Sequence, residues 1–359
     1  MHPEWKAFLG HTGAEFTADG YAVESFGNPE REKRVAVTGN ILCDLSHLGR
    51  ITVRGEDAAT FLQGQLTNDL REIDPTRSQL TAYCSPKGRM LAIMLAFRRG
   101  DDYILQLPRE RVAEVVKRLR LFVLRAQATL EEAADDLVAF GLAGPNACER
   151  LADQLGAAPE EPFAAVHRES LMALRLPGLL PRFQILGPLA DARALWGALD
   201  VHAAPVGQDQ WALLDVLSGV PQVYTETVES FVPQMTNLDL VNGVSFKKGC
   251  YPGQEVVART HYLGRLKRRM YRLAISGERP LKPGTPVRSP SREQPVGEVV
   301  DARPHPDGGL AGLAVLQIDA VDSALYVGDD RERSAAIESL PYLLPSDEPE
   351  SSGAQPKPE

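Results

Sequence analysis

Polar and β-branched positions alternate along "RITVRG" (50–55), the mark of a strand with one face buried. The next residues, "EDAATFLQGQL" (56–66), change period, and Ala59, Phe61, Leu62 and Leu66 fall on one side of a short helix. From there "LTAYCSPKGRMLAIMLAFRRGDDYILQLP" predicts three strands joined at "SPKG" and "RRGDD". That is an antiparallel meander, with glycine where a tight turn needs positive φ. "RERVAEVVKRLRLFVL" (109–124) reads as an amphipathic helix with Val112, Val115, Val116 and Leu119 in one stripe.

A second strand–helix alternation starts near residue 136. "DDLVAFGLAGPNACERLADQLG" predicts a strand, a glycine turn and a helix begun after Pro145, and "LMALRLPGLLPRFQILG" with "ADARALWGAL" repeats the theme. "GQDQWALLDVLSGVP" (207–221) is a helix carrying Trp211, Leu214 and Val216 into a glycine–proline stop. Beyond about 265, short strands split by turns such as "LKPGTPV" and "SPSREQPVGEVV" suit a small β-barrel or sandwich. Residues 1–40 are weakly periodic: "GNPEREKRVAV" reads as a charged turn leading into a strand, and the stretch is expected to be an N-terminal extension. Residues 346–359 are polar and proline-rich, and are expected to be a disordered tail.

A chain of 359 residues is long enough for two or three domains. Its apolar runs, such as "MLAIMLAF", stop far short of the roughly 18 residues that a membrane span needs. "MHPEWKAFLG" lacks the basic and apolar regions of a secretory signal. Cys43, Cys84, Cys148 and Cys250 lie far apart with no CxxC pair, which excludes a sequence-local zinc or dithiol site. Reduced thiols in a cytoplasmic protein are expected.

The net charge of −9 argues against a protein that coats nucleic acid by bulk electrostatics. Yet between 245 and 275 Lys247, Lys248, Arg259, Arg265, Lys267, Arg268, Arg269 and Arg272 face one acid, Glu255. A segment so basic in an acidic chain is expected to meet an anion. Within it, "FKKGCYPGQE" (246–255) cannot be a regular helix, because Gly249, Pro252 and Gly253 interrupt it. Cys250 therefore sits in a loop, and "QEVVARTH" begins a helix with Gln254 and Glu255 in its first turn. A thiol near a helix N-terminus and beside Lys247 and Lys248 is expected to have a lowered pKa. Residue chemistry alone leaves other readings open. These are an inert loop cysteine, a solvated basic face, Trp211 as core, and Glu255 as a residue that favours its helix N-terminus.

The run Lys248, Gly249, Cys250, Tyr251, Gly253, Gln254, Glu255, continued by "VVAR", resembles the signature of the folate-binding, tRNA-modifying YgfZ family. That family is related to the glycine-cleavage T-protein, an aminomethyltransferase. "FVPQMTNLDLVNGVSFKKGC", "QWALLDVLSGVPQV", "VRGEDAATFLQGQLTNDL", "YCSPKGRM" and "IESLPYLLP" extend the resemblance from about 41 to 345. It implies an α+β fold of three domains in a ring around a folate cavity. These would be a ferredoxin-like domain from 41–135 and 207–262, a second α/β domain over 136–206, and a C-terminal β-barrel over 263–345.

The implied role is a folate-binding accessory protein that supports iron–sulfur cluster assembly or repair. Through Fe–S enzymes it would support tRNA thiomethylation, so its effect on tRNA would be indirect. Tetrahydrofolate or a derivative is the implied cofactor, with Trp211, Lys247, Lys248, Glu255, Asp44 and His47 as folate-binding residues. Asp44, Ser46 and His47 lie in "CDLSHLGRI", which is similar to a T-protein stretch. Relatives carry a tryptophan near Leu48, and its absence here leaves Trp211 as the stacking candidate. Cys250 is the implied reactive thiol, acting by thiol chemistry or by transient ligation of an Fe–S cluster that a partner protein completes. Where the T-protein has an acidic pair after a turn like "SPKGRM", this chain has Ala92 and Ile93, which cannot take a proton. The alternative, a folate-dependent one-carbon transferase, would need another acid, such as Asp44 or Asp69. A third reading, an RNA-binding module on residues 259–272, lacks an aromatic-rich RNP strand.

Overall fold

Period-two alternation separates two cores along one strand. In Met90–Arg99, Ile93, Leu95 and Phe97 enter the largest hydrophobic cluster, while Ala92, Met94 and Ala96 enter a second cluster on the opposite face. Both faces are covered, so eight of the strand's residues in a row, Met90 to Phe97, are buried. The computed structural model describes residues 1–133, 136–262, 264, 266–329 and 333–345. The expected tail 346–359 lies outside the described residues.

The strand pairs on either side, in a five-stranded antiparallel sheet of order Gln79–Cys84, Met90–Arg99, Asp102–Pro108, Leu48–Arg54, Thr129–Glu132. The expected meander is thus present, with Gly88 and Gly100 at positive φ in its turns. The helix Arg109–Arg120 buries Val112, Val115, Val116 and Leu119 against the sheet. It stops four residues before the predicted end, leaving Leu121 and Leu124 exposed and Leu124 at positive φ.

A six-stranded sheet has the order Ala165–Arg168, Leu171–Leu176, Arg182–Pro188, Leu137–Ala143, Ile41–Asp44, Ala204–Val206. Its last pair is parallel. Ile41–Asp44 joins this sheet rather than the five-stranded one, although it lies within 41–135. The third unit is a closed six-stranded barrel, formed by Arg268–Ile275, Leu310–Gln317, Gly297–Pro304, Pro286–Arg288, Leu325–Val327 and Ser334–Glu338. Closure leaves no free sheet edge. The helix Gln208–Leu217 packs onto the barrel strands and brings Trp211, Leu213, Leu214 and Val216 into the largest cluster, to which both sheets and the barrel contribute.

Residues 1–40 are not a loose extension. The helix Pro3–His11 buries Trp5 and Leu9 in the core behind the six-stranded sheet, where Trp5 meets Trp196 edge-on at 5.4 Å. "GNPEREKRVAV" forms the helix Pro29–Thr38, not a strand. Asn28 caps it by accepting from Arg31 N, and Pro29 starts it with an already suitable φ. Between the two helices, Glu15–Phe16 and Val23–Ser25 form a small hairpin. Among the described residues no helix is long and apolar enough to cross a membrane.

Candidate functional site

Where the two sheets, the helix Gln208–Leu217 and the barrel meet, they enclose a cavity of about 550 Å³. That volume suits a small organic ligand. Each element contributes an inward side chain: Leu95 and Gln106 from the first sheet, Arg182 and Gln184 from the second, Trp211 and Asp215 from the helix, Arg303 from the barrel. Gln106 and Gln184 are buried, and each donates its amide to the other, at 2.7 and 2.9 Å. This reciprocal pair bridges the two sheets. Arg182, 2% exposed, reaches Asp215 Oδ1 at 2.6 Å and donates to Pro177 O. Burial raises the Asp215 carboxyl, against the pull of Arg182. The Tyr224 hydroxyl donates to Asp301 at 2.9 Å, and Arg303 bridges Asp301 and Asp209.

Several polar atoms of this wall have no partner. His47 Nδ1, Arg182 Nη1 and Gln222 Oε1 are buried without a hydrogen bond. Buried polar groups are nearly always satisfied, so such atoms mark a place for a polar ligand or water. Burial first, and the Arg303 charge next, lower His47 from 6.5 to about 4. The imidazole is therefore neutral at physiological pH, with one nitrogen free to accept or donate.

The expected site residues divide between separate places. Trp211 and His47 line the cavity. Trp211 is wall rather than platform: it is 1% exposed, its ring fills the space a Cβ at Gly141 would need, and the Arg182 guanidinium lies 5.7 Å from its centroid. Asp44 sits in the core, where it accepts from Trp5 Nε1 at 2.8 Å and from the Ser46 hydroxyl at 2.8 Å, and burial raises its carboxyl. Asp69 is tied to Arg71 and Gln63, and Arg71 in particular lowers its carboxyl to about 2. Ala92 and Ile93 are buried, and it is Ile93 that shares a face with Leu95 of the cavity wall.

The motif segment lies elsewhere. Cys250, Gly249, Lys247 and Glu255 are exposed. Lys247 borders a second groove of about 1040 Å³ together with Phe246, His261 and Tyr262, and Phe163 is common to both cavities' walls. Lys248 is not the free cation expected beside the thiol. It is 5% exposed, and its ammonium donates to Gln63 O at 2.6 Å, Leu66 O at 2.5 Å and Asn68 O at 3.1 Å, with the Tyr251 ring 5.3 Å away. Desolvation lowers it to about 8. Lys248 thus pins the loop to the turn after the helix Ala58–Gln63.

Gly253 holds the other end of the loop. It has φ +80°, and a Cβ there would stand 2.5 Å from both Gly88 Cα and Ser85 O. The "SPKG" and "CYPGQ" loops therefore interlock backbone to backbone, which only glycine permits. Gln254 starts the helix Gln254–Tyr262 and donates toward Lys248 O. Glu255 is in its first turn. Arg265 lies outside the described residues.

Sequence reading missed Gln106, Gln184, Arg182 and Asp215. A signal existed for the two glutamines, since each is a polar residue inside an apolar strand, "YILQLP" and "RFQILG". Among the described residues, no three His, Cys, Asp or Glu side chains cluster as a metal site would need, and the four cysteines are free thiols.

Residues 1–173 match the family described as the GCVT N-terminal domain. The chain is 31% identical over 306 residues to the tRNA-modifying protein YgfZ of Sodalis glossinidius, covering 84% of this chain and 93% of that protein. It is 33% identical over 311 residues to the protein of that name from Yersinia enterocolitica, covering 85% and 93%. Among solved structures, the glycine cleavage system aminomethyltransferase T from Bartonella henselae shares the fold, with a TM-score of 0.77 at 18% identity over 94% of this chain and 96% of that one.

Proposed function

Since the chain belongs to the YgfZ family of tRNA-modifying proteins, we propose that it is a cytoplasmic folate-binding accessory protein that supports iron–sulfur enzymes and, through them, tRNA modification. The observation that carries the folate reading is the cavity between the sheets, with the unpartnered His47 Nδ1, Arg182 Nη1 and Gln222 Oε1 in a wall of mixed polar and apolar side chains. A pterin offers donors and acceptors around a flat aromatic ring, which is the chemistry those atoms and the neighbouring Gln106–Gln184 pair would meet. Tetrahydrofolate, when bound, supplies ring nitrogens that carry or accept a one-carbon unit. His47, Arg182 and Gln222 would orient it, and the buried position of Gln184 and Trp211 would keep water from its ring.

The exposed Cys250 is the group proposed to act on iron–sulfur partners, because the fold presents it at the surface on a loop fixed from both ends. One thiol cannot hold a cluster by itself. A partner protein or a small thiol would complete the coordination, and Lys248 serves the loop's shape rather than the charge around the sulfur. The aspartates that the transferase alternative would call on are engaged elsewhere. Asp44 and Asp69 are committed to internal hydrogen bonds, and Asp215 is locked to Arg182.

Calorimetric titration with tetrahydrofolate tests the reading. Saturable binding, weakened by Gln184→Leu, is expected. No binding by the intact chain would remove folate from the account.

A further inference from the structure

A flat aromatic ligand gains most from an aromatic ring with an open face. The deep aromatic residues of the cavity offer little: Trp211 is 1% and Phe163 9% exposed. Tyr224 is partly buried with its hydroxyl committed to Asp301. Tyr21, in the same wall, is 49% exposed, so it stands where the cavity opens to solvent.

Its position is built, not accidental. Tyr21 lies in the turn of the N-terminal hairpin, where Thr17 N donates to Ala22 O at 3.0 Å and Ala22 N to Thr17 Oγ1 at 3.2 Å. Asp19 accepts from the Thr17 hydroxyl at 2.7 Å and from Tyr21 N at 3.1 Å. Gly20, at φ +71°, makes the bend, and Lys6 Nζ holds its carbonyl at 2.9 Å. The hairpin is in turn fixed to the core through Val23 and Phe16, which join the cluster of Trp5 and Leu9 from the helix Pro3–His11. Finally, the Arg109 guanidinium lies 5.2 Å from the Tyr21 ring centroid, and Arg109 Nε donates to Ser46 O at 2.9 Å. One side of the ring rests on a cation, which polarises and orients it. About half of the residue remains exposed to solvent.

We propose that Tyr21, backed by Arg109, is the stacking platform at the cavity mouth, against which the outer aromatic ring of the bound ligand lies. This deepens the folate reading of the same cavity and rests on it. The residues before position 41 then contribute a binding residue, and the shape of their hairpin turn sets how wide the mouth opens.

The test is calorimetric titration of tetrahydrofolate into the full chain and into Tyr21→Phe, Tyr21→Leu and Tyr21→Ala, with the dissociation rate followed by stopped flow. Tyr21→Phe keeps the ring and is expected to bind within about twofold of the wild type, while the leucine and alanine variants bind about tenfold more weakly through faster dissociation. Leucine fills the space without an aromatic face, so it separates stacking from packing if the alanine variant melts early. Unchanged affinity in the leucine variant, with the wild type binding, would overturn the platform and leave the folate reading standing. A wild type that does not bind tetrahydrofolate would overturn both.

Discussion

The cavity and the thiol loop are built in opposite ways. The cavity draws Gln106, Gln184, Arg182, Asp215, Trp211 and Arg303 from four separate elements, and most are paired with one another before any ligand arrives. The thiol loop is one contiguous run, pinned from below by Lys248 and from the side by Gly253, and its cysteine faces solvent with no such network above it. The difference separates two kinds of sequence signal. A dense motif can encode the conformation of a loop, whereas a ligand site assembled from many elements leaves single polar residues scattered along apolar strands. The lysine, the glycines and the tyrosine of the motif shape and hold the loop, and the cysteine is what they present.

The sharpest test of the cavity is Arg182→Met. It leaves Asp215 without its directly bonded cation, and should cost about 3 kcal/mol of unfolding free energy. Urea denaturation would read the loss, and tetrahydrofolate binding should weaken with it. An unchanged midpoint would mean that the pair is not a support of the wall.

On the other side of the comparison, Lys248→Met strips three backbone carbonyls of their donor and should cost about 2 kcal/mol. Below its unfolding temperature, this variant should still bind tetrahydrofolate as the wild type does. A parallel fall in affinity would join the two regions into one site.

Between pH 4 and 6.5 the titration of His47 makes the stability profile report on the cavity. His47 has a folded pKa of about 4 against an ordinary 6.5. Between these values the unfolded chain takes up a proton that the folded chain refuses. Stability from this group is therefore complete above pH 6.5 and is lost as the pH falls toward 4. The expected loss is about 1.5 kcal/mol, discounted because part of the residue meets solvent. His47→Gln should flatten that part of the profile, and an unaltered slope in the variant would place the effect on other groups.

Cys250→Ala has the smallest expected effect in vitro. Its side chain is exposed, so stability should change by less than about 0.5 kcal/mol, with tetrahydrofolate affinity untouched.

Much of this was legible from pattern, and the failures have physical causes. The meander, the helix buried through Val112 and Leu119, and the barrel were readable because each carries its own period. The helix Pro29–Thr38 was hidden because five charged residues, Glu30 to Arg34, mask its period, although Asn28 and Pro29 announce its start. The membership of Ile41–Asp44 in the six-stranded sheet depends on long-range pairing with Leu137–Ala143, which no local pattern reports. The loop of Cys250 was readable from its glycines. Lys248 was misread as a free cation because its carbonyl partners at 63–68 lie far away in sequence.

The most direct test of the central claim, that an exposed thiol acts for a folate-binding protein, uses cells lacking the endogenous protein. Wild type and Cys250→Ala, both shown to bind tetrahydrofolate equally, would be restored and tRNA thiomethylation measured. Rescue by the wild type alone is the expected result. Equal rescue by both would contradict the account and make Cys250 a bystander on a well-built loop.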